Sequence, residues 1–183
     1  MIKGVIMSDR NLTLLTDFYQ LTMMNGYLKE GKKDEIVVFD LFFRQNGMIT
    51  YSLACGLEQA VDYILNLNFG DEEIDYLRRL NVFDEEFLSY LKDFKFSGDV
   101  YSVPEGTVVF PGEPILTVKA PIIEAQLIET ALLNIINFQT LIASKSAKIN
   151  YAAKGDPVME FGLRRAQAPD AGIYGARAAV IGG

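Results

Sequence analysis

Asp156-Pro157-Val158-Met159-Glu160-Phe161-Gly162-Leu163-Arg164-Arg165 is the stretch on which the fold turns. Pro157 follows the break at Gly155 and a short apolar run begins at once, which predicts a buried strand over 156–161 that ends in an aromatic ring and two guanidiniums. In parallel α/β folds ligands collect at the C-terminal ends of strands, because the loops there converge on a crevice or barrel mouth. Arg164 and Arg165 stand at such an end. The planar arginine fork donates two parallel, charge-assisted hydrogen bonds to a phosphate, which a lysine point charge cannot do. Phe161 offers a face for a flat ring. Read locally, the same residues also fit a core phenylalanine beside two solvated arginines, since arginine is mostly exposed in any protein.

Upstream, helices and strands alternate without a repeat. Thr16 is placed to cap a helix whose first turn holds Asp17 and whose face carries Phe18, Leu21, Met24 and Leu28, with Gly31 closing it. Glu35-Ile36-Val37-Val38-Phe39-Asp40-Leu41-Phe42-Phe43 is β-branched and aromatic enough for a buried strand, and Arg44 is a second strand-end arginine. A helix is expected over Leu57 to Leu67, and Asp71-Glu72-Glu73 and Asp84-Glu85-Glu86 each open another with acids in the first turn. These acids read as solvated caps rather than metal ligands. From Gly98 to Pro121, Pro104-Glu105-Gly106 and Pro111-Gly112-Glu113-Pro114 break short strands into what reads as a compact β module. Pro121 then starts a helical region, apolar nearly all round, that reaches Lys154 and should break near Asn137. A last helix of small residues is expected over Tyr174 to Val180.

Composition narrows the function classes. The chain has 183 residues, half of them hydrophobic, a net charge of -7, one cysteine and no histidine. With its cations dispersed it has no basic face for nucleic acid, so a phosphate ligand must be met locally. Cys55 alone excludes an intramolecular disulfide and fits a reducing, cytoplasmic setting. The absence of histidine and the single cysteine argue against a zinc site. Met1 to Arg10 lacks the apolar core of a signal peptide, and the uncharged stretch Thr130 to Ser144 is too short and too polar to span a bilayer. No Walker phosphate loop, dinucleotide fingerprint or histidine-activated nucleophile is present. An acidic pair at a strand end followed by a Gly-Thr-rich loop, which many phosphoribosyltransferases use to hold ribose hydroxyls, is also missing. A carrier domain, suggested by the turns of the β module, needs an exposed hairpin lysine, whereas Lys119 lies at that segment's end. Lys145 and Lys148 read as solvated or charge-pairing cations on the late helix.

Taken in order, Thr16-Asp17-Phe18-Tyr19-Gln20-Leu21-Thr22-Met23, Phe42-Phe43-Arg44, Gly56-Leu57-Glu58-Gln59, Pro104-Glu105-Gly106, Phe110-Pro111-Gly112-Glu113-Pro114, Glu129-Thr130, Asn137-Phe138-Gln139-Thr140-Leu141-Ile142-Ala143 and Glu160-Phe161-Gly162-Leu163-Arg164-Arg165-Ala166 resemble the nicotinate phosphoribosyltransferase family. The resemblance runs from about Leu14 to Gly183 and implies an α/β fold. Its expected parts are an α+β N-terminal domain over 1–136, with the β module at 98–121, and the beginning of an irregular α/β barrel over 137–183. It implies transfer of phosphoribose from phosphoribosyl pyrophosphate to nicotinic acid in NAD salvage, with Mg²⁺ and with ATP hydrolysis, in a cytoplasmic homodimer with a shared active site, without nucleic acid or membrane partners. By resemblance Phe161 and the partner's Tyr19 sandwich the pyridine ring, and Arg164 and Arg44 bind phosphate, Arg44 across the dimer. Arg165 and Asp17 fall within the same motifs. The family's phosphorylated histidine, its acidic ribose and metal ligands and its remaining barrel strands are expected beyond Gly183, so no catalytic residue is assigned within the chain. The family's Asn-Pro-Phe turn is replaced by Gln45-Asn46-Gly47-Met48-Ile49. Two further readings stay open, a non-catalytic subunit that dimerises and a nicotinamide-specific relative.

Overall fold

The computed structural model describes residues 10–45, 47 and 49–183, so the N-terminal decapeptide apart from Arg10, together with Asn46 and Met48 of the altered turn, lies outside the described residues. Helix α1 spans Phe18–Lys29, α2 Leu57–Leu65, α3 Asp71–Arg79, α4 Glu85–Lys92, α5 Ile122–Ala153 and α6 Pro169–Ile181; the strands are β1 Ile36–Leu41, β2 Ser52–Leu53, β3 Asp99–Ser102, β4 Val108–Val109 and β5 Leu116–Pro121. The fold class is the α/β expected, with helix and sheet mixed.

The 32-residue α5 organises the molecule. Pro121, which has no backbone N–H to lose, is its N-cap, and Lys154 closes it in the left-handed region at φ 53°. Its apolar side chains are spent on several neighbours, because α1, α2, α6, β1, β2 and β5 all pack against it. By length and composition α5 is apolar enough to cross a membrane, and burial by these neighbours accounts for that character. The expected break near Asn137 does not occur. Asn134 and Asn137 face outward, while buried polar side chains find partners off the helix. Thr140 Oγ1 accepts from Cys55 N and donates to Cys55 O, both at 3.2 Å, and Ser144 Oγ accepts from Leu53 N at 2.8 Å. These side chains serve the β2 backbone as a neighbouring strand would, so no polar group forces the helix open.

The segment 98–121 is not a separate module. One antiparallel sheet has the order β1-β5-β3, with Ile36 opposite Pro121 and Asp99 opposite Lys119; β4 pairs instead with β2. Three short strands cannot bury themselves, whereas β5 flanked on both sides turns Leu116, Val118 and Ala120 onto α5. The β1 expectation is also corrected: it is an edge strand, largely exposed, with Val37 and Leu41 packed against the core.

Two local expectations fare differently. Asp84 caps α4, its carboxylate accepting from Phe87 N at 3.0 Å, and Gly31 at φ 68° follows α1 as its closing residue. Thr16, by contrast, does not cap α1, because its hydroxyl donates to Leu127 O at 3.3 Å and ties the helix entry to α5. Helix α6 begins earlier than expected, at Pro169, whose missing N–H suits a first helical turn. The strand expected at 156–161 is absent. Val158, Met159 and Phe161 lie in an exposed segment that pairs with no strand among the described residues, where β1–β5 all pair among themselves.

Candidate functional site

The start of α1 carries the first group of candidate residues. Tyr19 is 52 % exposed, yet its hydroxyl is held, accepting from Gln20 Nε2 at 3.0 Å. Asp17 Oδ2 accepts from Thr130 Oγ1 of α5 at 3.3 Å. Desolvation of the hydroxyl, then the carboxylates of Glu129 and Asp17, push the Tyr19 pKa above its ordinary value.

The second group lies between α5 and α6. Phe161 is 74 % exposed, and the Arg164 guanidinium sits 5.8 Å from its ring centroid, a cation over an aromatic face. Leu163–Arg165 forms a 3-10 turn that presents Arg164 and Arg165 outward. The turn is fixed from behind by Leu163, whose side chain lies over Gly172 of α6 so closely that a Cβ there would come within 2.2 Å of it. Arg44, beyond the end of β1, is exposed and makes no ion pair with another described residue. Thus Asp17 is tied to α5 directly and Tyr19 through Gln20, and Phe161 meets Arg164. No hydrogen bond or ring contact among the described residues joins the two groups, and none joins either to Arg44. Among the described residues no group of three or more His, Cys, Asp or Glu side chains gathers to hold a metal ion.

Sequence reasoning missed the polar cluster behind the loop. Arg177 of α6 donates to Glu105 from Nη1 at 3.0 Å and from Nη2 at 2.6 Å, to Glu58 Oε2 from Nη2 at 2.6 Å, and to Gln139 Oε1 at 3.2 Å. Glu105 Oε1 also accepts from the N–H groups of Gly56 and Leu57 at 2.6 and 3.0 Å, capping α2 with a side chain from a distant turn. Burial alone would raise the Glu105 pKa, but Arg177 and these amides outweigh it and hold the carboxyl below its usual range. Beside this cluster, burial and then the Glu105 charge push the Cys55 thiol up to about 11. The signal was a lone arginine in the small-residue run Gly175-Ala176-Arg177-Ala178-Ala179. The quoted motifs containing Glu58, Glu105 and Gln139 therefore converge on one structural tie that fixes α6, and with it the Arg164 turn, against α2 and α5.

A model of the nicotinate phosphoribosyltransferase (NAPRTase) N-terminal domain matches residues 14–137. The chain is 46 % identical over 179 residues to the nicotinate phosphoribosyltransferase of Bacillus subtilis (strain 168), covering 96 % of this chain and 36 % of the relative. It is 42 % identical over 174 residues to nicotinate phosphoribosyltransferase 2 of Arabidopsis thaliana, covering 93 % of this chain and 31 % of that protein. The crystal structure of human nicotinic acid phosphoribosyltransferase superposes with a TM-score of 0.82 at 34 % identity, over 92 % of this chain and 35 % of that one. The chain thus spans about a third of the length of these relatives. Sequence, motif order and fold agree, and the chain belongs to the nicotinate phosphoribosyltransferase family, whose N-terminal domain it matches.

Proposed function

We propose that the enzyme containing this chain joins nicotinic acid to phosphoribosyl pyrophosphate, giving nicotinate mononucleotide and pyrophosphate for NAD salvage in the cytoplasm. In this reading residues 1–136 form the N-terminal domain and 137–183 open the barrel domain. The observation that carries it is the exposed Phe161 ring with the Arg164 guanidinium over its face, an aromatic platform and a phosphate-binding fork in one loop. Tyr19 supplies the second face of the pyridine sandwich from the other copy of a homodimer, which fits its separation from Phe161 within one chain. Arg44 reaches the phosphates across the same interface; Arg165 and Asp17 line the site.

The chemistry asked of these residues is simple. Breaking the bond from ribose to pyrophosphate places positive charge on the sugar carbon and negative charge on the departing pyrophosphate, which fixed guanidiniums stabilise. The ring nitrogen is already a nucleophile, so two aromatic faces have mainly to hold it in line with that carbon. Mg²⁺ and ATP enter from the resemblance alone, and the described residues offer no cluster to bind a metal ion. Mg²⁺ would neutralise the pyrophosphate when bound.

Steady-state kinetics of the enzyme test the assignment. Phe161→Ala should raise the nicotinate KM, and Arg164→Lys, which keeps the charge but loses the fork, should weaken phosphoribosyl pyrophosphate binding. Unchanged kinetics in both variants would remove the site. Failure of the parent protein to bind any pyridine would favour a non-catalytic subunit, and preference for the amide a nicotinamide-specific relative.

A further inference from the structure

Gln20 is fully buried, and a buried primary amide must place both its N–H groups and its carbonyl inside the protein. It does so with three partners. Nε2 donates to Tyr19 Oη at 3.0 Å and to Glu129 Oε2 at 2.7 Å, and Oε1 accepts from Gln126 Nε2. The orientation of the amide follows from its neighbours. Turned over, its oxygen would face the Glu129 carboxylate and its N–H groups would face those of Gln126.

The fixed amide has a consequence at the surface. Tyr19 leaves half its area open, and an exposed tyrosine ordinarily samples several ring orientations. Here the hydroxyl is tied from below, through Gln20, to Gln126 and Glu129 on the rigid core helix α5. Two torsions set a tyrosine ring; anchoring its Cα in α1 and its Oη to Gln20 fixes the first, and with it the direction of the ring axis and the place the exposed ring occupies, while Oη lies on the axis of the second.

We propose that Gln20 is a positioning residue for the pyridine site: it holds the Tyr19 ring in the place where its face meets the substrate ring. This rests on the reading of Tyr19 as a substrate platform. Gln20 touches no substrate and acts only through Tyr19. Loss of the tie lets the ring swing away from that place, which weakens capture of the pyridine while leaving the transfer step to the other residues.

The test is a comparison of Tyr19→Ala, Tyr19→Phe, Gln20→Met and the double variant Tyr19→Phe/Gln20→Met in the enzyme containing this chain, with nicotinate and phosphoribosyl pyrophosphate varied separately. Tyr19→Phe keeps the ring and the bonds from Gln20 to α5 but removes the tie. It should raise the nicotinate KM roughly three- to tenfold, the range one net hydrogen bond supplies, with kcat and the phosphoribosyl pyrophosphate KM unchanged and Tm somewhat lowered, because one buried Gln20 N–H loses its acceptor. Gln20→Met should raise the same KM by a similar factor, and the double variant should be no worse than either. If Gln20→Met fails to fold, Tyr19→Phe still decides the matter, since the bonds of Gln20 to Glu129 and Gln126 remain. A raised nicotinate KM in Tyr19→Ala with wild-type kinetics in Tyr19→Phe would overturn the role of Gln20 and leave the platform standing. Wild-type kinetics in Tyr19→Ala would remove the platform reading, and the proposal with it.

Discussion

Replacing Arg177 by methionine keeps much of the aliphatic stem and removes every donor at its tip. The arginine grips Glu105 with two nitrogens at 3.0 and 2.6 Å, and the two side chains are only 25 % and 20 % exposed. Removing one partner of a buried pair costs about 3–5 kcal/mol. This cost is reduced here, because the Glu105 carboxylate keeps the N–H groups of Gly56 and Leu57 and the site is partly wet. The Glu58 arm adds about 0–1 kcal/mol, since Glu58 is 48 % exposed. The expected total is about 2–3 kcal/mol, which for a chain of this size lowers Tm by about 4–12 °C. Glu105→Gln keeps an acceptor for the α2 amides and should cost less, and the double variant should show a coupling of about 1–2 kcal/mol. The pH dependence has a defined sign. Glu105 is held below its usual pKa, so its contribution is fully present above about pH 4.3, the unfolded value, and is lost as pH falls through the lower folded value. Arg177→Met should therefore flatten the acid limb of stability. Thermal and urea unfolding from neutral to acid pH provide the assay. A variant that melts with the parent, or a coupling of zero, would refute the reasoning.

Three further outcomes are expected. Cys55, buried and with its thiol pushed up to about 11, should resist a disulfide reagent at neutral pH and react fully once the chain is unfolded; fast labelling of the native protein would contradict its environment. Gly56→Ala should cost about 2–4 kcal/mol, because Gly56 stands at φ 105° and an added Cβ would lie 3.0 Å from Ile135 O, so an unchanged urea midpoint would contradict the packing of α2 on α5. Asp84→Ala should lower the urea midpoint through loss of the α4 cap and of its ion pair to Lys29, and an unchanged midpoint would contradict the cap.

How much of this is legible in the sequence depends on the range of the interaction. The acid-led starts of α3 and α4 and the closure of α1 at Gly31 are written in a few neighbouring residues, since caps and dipoles act within one turn. The division of 98–121 between two sheets is not, because β5 chooses β1 as a partner across some 80 residues of chain. The apolar run at 156–161 has strand composition, but among the described residues no strand pairs with it, and pairing is what makes a strand. At the candidate site, Phe161 and Arg164 are legible as a loop motif. Gln20 is not, because a glutamine on a helix looks like a surface residue until its three partners from α1 and α5 are seen around it. Likewise Arg177 acquires meaning only when Glu58 and Glu105 converge on it.

The central claim is that this chain supplies the pyridine platform and phosphate fork of a nicotinate phosphoribosyltransferase. The most direct measurement is formation of nicotinate mononucleotide from nicotinate and phosphoribosyl pyrophosphate by the enzyme containing this chain, with Phe161→Ala and Arg164→Ala compared at matched folding. The account predicts product that requires both substrates and falls sharply in each variant. Product formation unaffected by both substitutions, or no transfer to nicotinate by the parent enzyme, would contradict it.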